Sequence, residues 1–148
     1  MRDNTITEVE IWMLTKVLVI DDDPDMTDLL SLLLKASGFE VLVCNYGEKG
    51  IQETHDFSPN VIILDLMMIG MDGWQVCTAI REFSSIPILI LTALDNPEII
   101  VSALDAGADD FLTKPVSSSL LVSRLKTLTR RMQINGSGIF VPAPPISI

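Results

Sequence analysis

Five short apolar runs, each closed by a polar residue and followed by a stretch with helical spacing, leave this chain few ways to fold. The first run is "KVLVI", Lys16–Ile20. Its unbroken β-branched and leucine character is that of a strand buried on both faces. "EVLVCN", "NVIILD", "IPILILTA" and the shorter "DDFLT" repeat the theme, with Pro87 near the start of the fourth, where proline is tolerated. After the first strand, "MTDLLSLLLKASG" places apolar residues at helical spacing and stops at Gly38. "GEKGIQETHDF" reads as a weak second helix loosened by Gly50, and residues 72–83 as a third. "NPEIIVSALDAG" reads as a fourth, with Asn96 as its cap and Pro97 in its first position. "SSSLLVSRLKTLTRRM" is the last, with Leu121, Leu125 and Leu128 on one side. Such alternation predicts an α/β fold, a parallel sheet covered on both faces through right-handed crossovers.

Bulk properties exclude several classes. The chain has 148 residues, enough for one domain with a real core, and is 48% hydrophobic, so it is globular. A net charge of −10 makes it a poor nucleic-acid binder by itself, because that affinity needs clustered cations. The basic residues Arg124, Lys126, Arg130 and Arg131 are read as decoration of the last helix. Cys44 and Cys77 sit in apolar segments and are read as reduced core residues of a cytoplasmic protein, and no zinc-ligand spacing occurs. No run is long and apolar enough to cross a membrane, and no signal-peptide order opens the chain. Residues 1–15 read as an N-terminal extension, of which 1–12 are expected to be dispensable to the fold. Residues 16–132 form the domain, and 133–148, with Gly136, Gly138 and three prolines, read as a linker or tail.

The polar residues that end the strands carry the chemistry. Asp21 and Asp22 close the first strand, Asp65 the third, Thr92 the fourth and Lys114 the fifth. All lie at carboxyl ends of parallel strands, the rim where ligands bind in open α/β sheets. Alone, each has a plain structural reading as a cap, a turn or a surface residue. Together they make a site. Two unit charges about 4 Å apart at an effective dielectric of about 20 interact by roughly 4 kcal/mol. Three gathered carboxylates therefore call for countercharge. Lys114 supplies one positive charge and a divalent cation the other two, and all-oxygen ligands favour Mg²⁺. Asp65 in such a setting is a candidate nucleophile toward phosphorus, with lysine and metal stabilising the moving phosphoryl group. The Thr92 hydroxyl is suited to bond a new phosphate oxygen.

"VLVIDDDP", "VIILDLMMIGMDG", "LILTA" and "AGADDFLTKP", in this order and spacing, resemble the receiver domain of two-component response regulators over about residues 16–131. The resemblance implies a flavodoxin-like (CheY-like) fold with strand order 2-1-3-4-5. It implies phosphorylation of Asp65 by a sensor histidine kinase, and Mg²⁺ held by Asp22, Asp65 and the Met67 carbonyl, with Asp21 assisting through water. It makes Thr92 and Phe111 a coupled switch pair, with Ala93 and Lys114 as phosphate contacts. Asp23 and Asp25 fall outside the pocket and are expected to start the first helix, where negative charge is favourable. The output surface would be the fourth helix, fifth strand and fifth helix.

Departures from the family pattern add expectations. Ile69 stands where the family usually has proline, predicting a less rigid loop. Met67 and Leu94 are apolar at positions that tune loss of the phosphate, predicting slow decay. The winged-helix transcription-factor class is suggested by "AGADD" and the basic spacing of the last helix. A homodimer is expected through Ile99, Ile100, Asp109, Asp110 and Arg124, more apolar than usual for that class. An effector domain after residue 148 is expected over a stand-alone relay. Two rivals differ in class. An aspartyl-phosphate hydrolase would want an acid where Met67 stands. A flavodoxin-like cofactor binder would want hydroxyls and glycines where "DDDPD" repels phosphate. His55, the single histidine, is read as a surface residue.

Overall fold

The computed structural model of the chain describes residues 15–136. Five strands, β1 Lys16–Ile20, β2 Glu40–Cys44, β3 Val61–Leu64, β4 Ile88–Thr92 and β5 Asp110–Thr113, alternate with five helices. The helices are α1 Pro24–Ala36, α2 Gly47–Asp56, α3 Gly73–Arg81, α4 Pro97–Asp105 and α5 Ser118–Gly136. The strands form one parallel sheet in the order β2-β1-β3-β4-β5, as expected. Thr15 is buried, and its carbonyl accepts the Glu40 amide at 3.0 Å, so bonding to β2 begins one residue before β1. Helix α5 continues to Gly136, past the boundary read at residue 132. The rest of the proposed extension and tail, residues 1–14 and 137–148, lies outside the described residues.

Alternate strand residues feed two separate cores, which is why the runs are apolar throughout. Val17, Val19, Val61, Ile63, Leu89 and Leu91 meet Leu30 and Leu34 of α1 and Leu121, Leu125 and Leu128 of α5. Leu18, Ile20, Ile62, Leu64, Ile88 and Ile90 meet α3 and α4 on the other face, through Val76, Cys77, Ile80 and Ala103. Burying each such Leu, Ile or Val contributes roughly 1.5–3 kcal/mol. Cys44 and Cys77 are free and buried, and burial pushes the Cys44 thiol up to about 11. Among the described residues no helix is long and apolar enough to cross a membrane.

Local chemistry starts the helices where the sequence indicates. The Asp23 carboxylate accepts the Asp25 amide at 3.0 Å and caps α1, with Pro24 in the first turn. Asp72 and Gln75 form a reciprocal capping box on α3. Asn96 caps α4 through the Ile99 amide at 3.0 Å, with Pro97 behind it. Helix α2 has a different logic from a loosened helix. Its Gly50 is buried against β1, and a Cβ there would lie 2.5 Å from Ile20 Cδ1. The glycine lets α2 lie close to the sheet.

Arg81 ties together the rim opposite the strand carboxyl ends. Its guanidinium donates to the carbonyls of Gly107 at 2.8 Å, Ser84 at 3.2 Å and Ile86 at 2.8 Å, and pairs with Asp109 at 2.8 Å. The same Asp109 oxygen accepts the Ile88 amide at 2.8 Å. Arg81→Ala leaves these acceptors without their donor. It is expected to lower unfolding free energy by about 2–4 kcal/mol in urea titrations.

Candidate functional site

Strand register creates the site before any ligand does. In the β1–β3 ladder Ile20 stands opposite Leu64, so Asp21 and Asp65 leave adjacent parallel strands side by side. Strand neighbours lie about 4.8 Å apart. Both carboxylates are nearly buried, Asp21 at 3% and Asp65 at 7% exposure. Lys114, from the end of β5, reaches over β4 and places its ammonium between them. Nζ lies 2.8 Å from Asp21 Oδ2 and 3.1 Å from Asp65 Oδ2. The Lys114–Pro115 bond is cis.

The remaining oxygens are held by backbone. Asp21 Oδ1 accepts the Asp23 amide at 3.0 Å, and Asp65 Oδ1 accepts the Met67 amide at 3.2 Å. Burial raises the Asp21 carboxyl above its ordinary value of 3.8. The bonds from Lys114 and the Asp23 amide oppose this, and the charge of Asp65 adds to it. Burial acts to lower the Lys114 ammonium, but the bond to Asp21 and the charges of both aspartates outweigh it and hold it raised. One cation is thus shared by two anions, and the local balance stays negative.

Asp22 is half-buried and turned outward. Its Oδ2 accepts the Ile69 amide at 2.8 Å and so ties the β1–α1 loop to the β3–α3 loop. Among the described residues no three acidic, histidine or cysteine side chains are gathered as a metal cage. The donor set Asp21, Asp22 and Asp65 is nevertheless all-oxygen and short of positive charge, which fits a hard divalent cation. Thr92 is fully buried at the end of β4. Its Oγ1 is the one buried side-chain oxygen or nitrogen, among the described residues, without a hydrogen-bond partner. An unmade bond of this kind costs about 1–3 kcal/mol, so the hydroxyl is poised for an acceptor. Ala93 follows it and is exposed, while Phe111 is half-buried against the same cluster as Ile99 and Leu94.

The exposed side chains of Met67 and Ile69, at 60% and 90%, frame a shallow cleft of about 340 Å³ with Asp22 and Trp74. On the far side of the sheet end, Ile99 and Ile100 are half-buried on α4, and Val101 and Leu104 are exposed. Asp110 and Arg124 pair within the chain at 3.0 Å. Asp109, read as part of the same surface, is instead engaged with Arg81 and β4. His55 is a surface residue, its side chain 79% exposed.

Two site-supporting residues went unseen in the sequence. Asn45 Nδ2 donates to the Asp21 carbonyl at 2.9 Å and to Thr27 Oγ1 at 3.0 Å, fixing the β1 end against β2 and α1. Gly73 starts α3 directly against the end of β3. Its amide donates to the Leu66 carbonyl at 2.9 Å, and a Cβ on it would lie 2.3 Å from the Asp65 carbonyl oxygen. The signal available was a glycine one residue after the Asp72 cap, which does not by itself announce a close approach to a strand.

A doubly wound parallel sheet, with its acidic pair and lysine on the carboxyl rim and a buried threonine beside them, is a small α/β module with one polar site. Residues 17–126 match the family model of the response regulator receiver domain, and the chain belongs to that family. It is a signalling module, not an enzyme in the ordinary sense. It is 36% identical over 119 residues to the DNA-binding response regulator MtrA of Mycolicibacterium smegmatis, covering 80% of this chain and 52% of that protein. It is 37% identical over 118 residues to the sensory transduction protein RegX3 of the same organism, with the same coverages. The chain thus spans about half the length of the curated relatives it matches. A two-component response regulator from Clostridium difficile superposes with a TM-score of 0.77 at 31% identity, covering 80% of this chain and 98% of that one. The receiver domain of Francisella response regulator 1452 superposes at 0.76 with 32% identity, covering 80% and 99%.

Two outcomes follow from the geometry. An aspartate with a raised folded-state pKa lends stability that is complete below 3.8 and lost as pH rises through the raised value. Ionised Asp21 is therefore a cost at neutral pH. Asp21→Asn is expected to melt at a higher temperature than the parent at pH 7 in metal-free buffer, the gap closing as the pH falls below 3.8. Gly73→Ala forces α3 away from the Asp65 backbone and is expected to lower unfolding free energy by about 1–3 kcal/mol in urea titrations.

Proposed function

We propose that this receiver domain accepts a phosphoryl group on Asp65 from a sensor histidine kinase and signals through the surface of α4, β5 and α5. The observation that carries the reading is the shared Lys114 ammonium between Asp21 and Asp65, with the unpartnered Thr92 hydroxyl at the neighbouring strand end. In the transfer, an Asp65 carboxylate oxygen bonds to phosphorus as the bond from phosphorus to the donor imidazole nitrogen breaks. The electron pair stays on that nitrogen, which takes up a proton. Lys114, already against Asp65, neutralises charge on the arriving oxygens. Mg²⁺ held by Asp21, Asp22, Asp65 and the Met67 carbonyl would add charge neutralisation at the same oxygens.

The phosphorylated form then satisfies Thr92. Its hydroxyl donates to a phosphoryl oxygen, with Ala93 as the adjoining contact, and the shift vacates space into which Phe111 turns. The surface of α4, β5 and α5 repacks, a change that needs only a few kcal/mol between two states. Two copies then pair through Ile99, Ile100, Asp109, Asp110 and Arg124, which requires Asp109 to give up part of its bonding to Arg81. Met67 and Leu94 supply no acid or amide to orient water, so the phosphate decays slowly. The name of MtrA, a DNA-binding response regulator, supports control of a DNA-binding domain by this module, which we place in the cytoplasm.

Incubation of the chain with acetyl phosphate and Mg²⁺ is expected to add one phosphoryl group by intact mass, and the Asp65→Asn variant none. Absence of the adduct, or its persistence on Asp65→Asn, would overturn the assignment.

A further inference from the structure

Helix α4 enters the core with few of its own side chains, the buried Ala103 and the half-buried Ile99. Its one buried residue is Ala103, and Pro97, Glu98, Val101 and Ser102 are exposed. Helix α3, in contrast, buries Gly73, Val76, Cys77 and Ile80. What α4 lacks in burial is replaced by hydrogen bonds from one stripe of α3. Trp74, Cys77 and Arg81 fall at i, i+3 and i+7, so they share a helix face. Trp74 Nε1 donates to Ser102 Oγ at 2.9 Å. Cys77 Sγ donates to the Ala106 carbonyl at 3.4 Å, and Arg81 Nε to the Gly107 carbonyl at 2.8 Å. The three acceptors follow one another along α4 and its C-terminal turn.

We propose that this seam makes α4 a hinged element, fixed at Ala106 and Gly107 and latched by the single bond between Trp74 and Ser102. The two ends differ in strength. The lower end has a charged guanidinium donor and the buried Ala103 beside it, and charge-assisted bonds are about twice as strong as neutral ones. Gly107 has φ of +116°, a conformation suited to the pivot of a chain reversal. The upper end has a neutral bond on the surface, with Ile99 and Ile100 only half-buried ahead of it. Release of the latch frees the N-terminal half of α4 while its C-terminal turn stays in place. Trp74 also walls the cleft beside Asp22, Met67 and Ile69, so the latch borders that cleft. Trp74 is a positioning residue in this scheme. The inference concerns α4 alone and does not require Asp65 to be phosphorylated.

Amide hydrogen exchange on the full chain tests it, in Trp74→Phe, in Ser102→Ala and in the double variant. Each single variant is expected to speed exchange of residues 100–103 about fivefold, the factor set by one neutral hydrogen bond. Amides of residues 106–108 and of the sheet keep their parental rates. The double variant exchanges no faster than the faster single one, because both remove the same bond. Ser102→Ala guards against packing loss from the smaller ring in Trp74→Phe, and Trp74→Phe guards against the second bond that Ser102→Ala removes, from the Ser102 hydroxyl to the Ile99 carbonyl at 2.8 Å. The proposal is overturned if residues 100–103 are unaffected by either single variant, if residues 106–108 accelerate equally, or if the two substitutions act additively.

Discussion

One ammonium group shared between two carboxylates is the contact around which this molecule is organised. Asp21 and Asp65 are forced together by the register of β1 and β3, and neither could be moved without shifting a strand buried on both faces. Their repulsion is met by Lys114, which comes from β5, two strands away from β3 in the sheet. The polar site therefore depends on the whole sheet order. A chain with the same strands in another order would bring the same side chains to the rim and fail to join them.

The arrangement is compensated but not saturated. The third carboxylate, Asp22, turns toward the Ile69 amide, which lowers crowding and ties two loops together. The pair that remains is still one positive charge short, and burial holds Asp21 raised in spite of the lysine. Beside it, Thr92 keeps a buried hydroxyl without a partner. A deficit of cation and a surplus donor within one site are complementary needs. Phosphoryl oxygens accompanied by a divalent cation answer both, whereas either component alone answers one.

Much of this was legible in the sequence because the signals were local. A strand buried on both faces needs an unbroken apolar run, and a parallel strand that ends at a ligand rim needs a polar residue there, so Asp21, Asp65, Thr92 and Lys114 announced themselves. Caps at Asp23 and Asn96 sit next to what they cap, and the motifs around the aspartates pointed to the family that the comparison identifies. The unseen parts depend on tertiary approach. Gly50 looks like a helix weakener, and Gly73 carries no mark, until the neighbouring strand is present to show that a Cβ would collide. The partners of Arg81 are mostly carbonyls, and a carbonyl leaves no mark in a sequence. Asp109 is exposed, and its engagement with Arg81 and the Ile88 amide left no local sign because it crosses three elements.

These hidden contacts also decide how far an event at Asp65 can travel. Gly73 seats the start of α3 directly against the Asp65 backbone, with no room for a Cβ between them. Through Trp74, Cys77 and Arg81, α3 in turn carries α4. In the proposed switch a second path runs from the site through Thr92 and Phe111 into β5. The first path is a set of bonds already made, the second a bond not yet made. Satisfying a buried hydroxyl is worth about 1–3 kcal/mol and breaking an exposed neutral bond costs about 1 kcal/mol, so the former is large enough to offset the latter. In the proposed switch, a Thr92 bond to an incoming oxygen would therefore offset the loss of the Trp74 bond to Ser102, while the bonds from Cys77 and Arg81 keep the C-terminal turn of α4 in place.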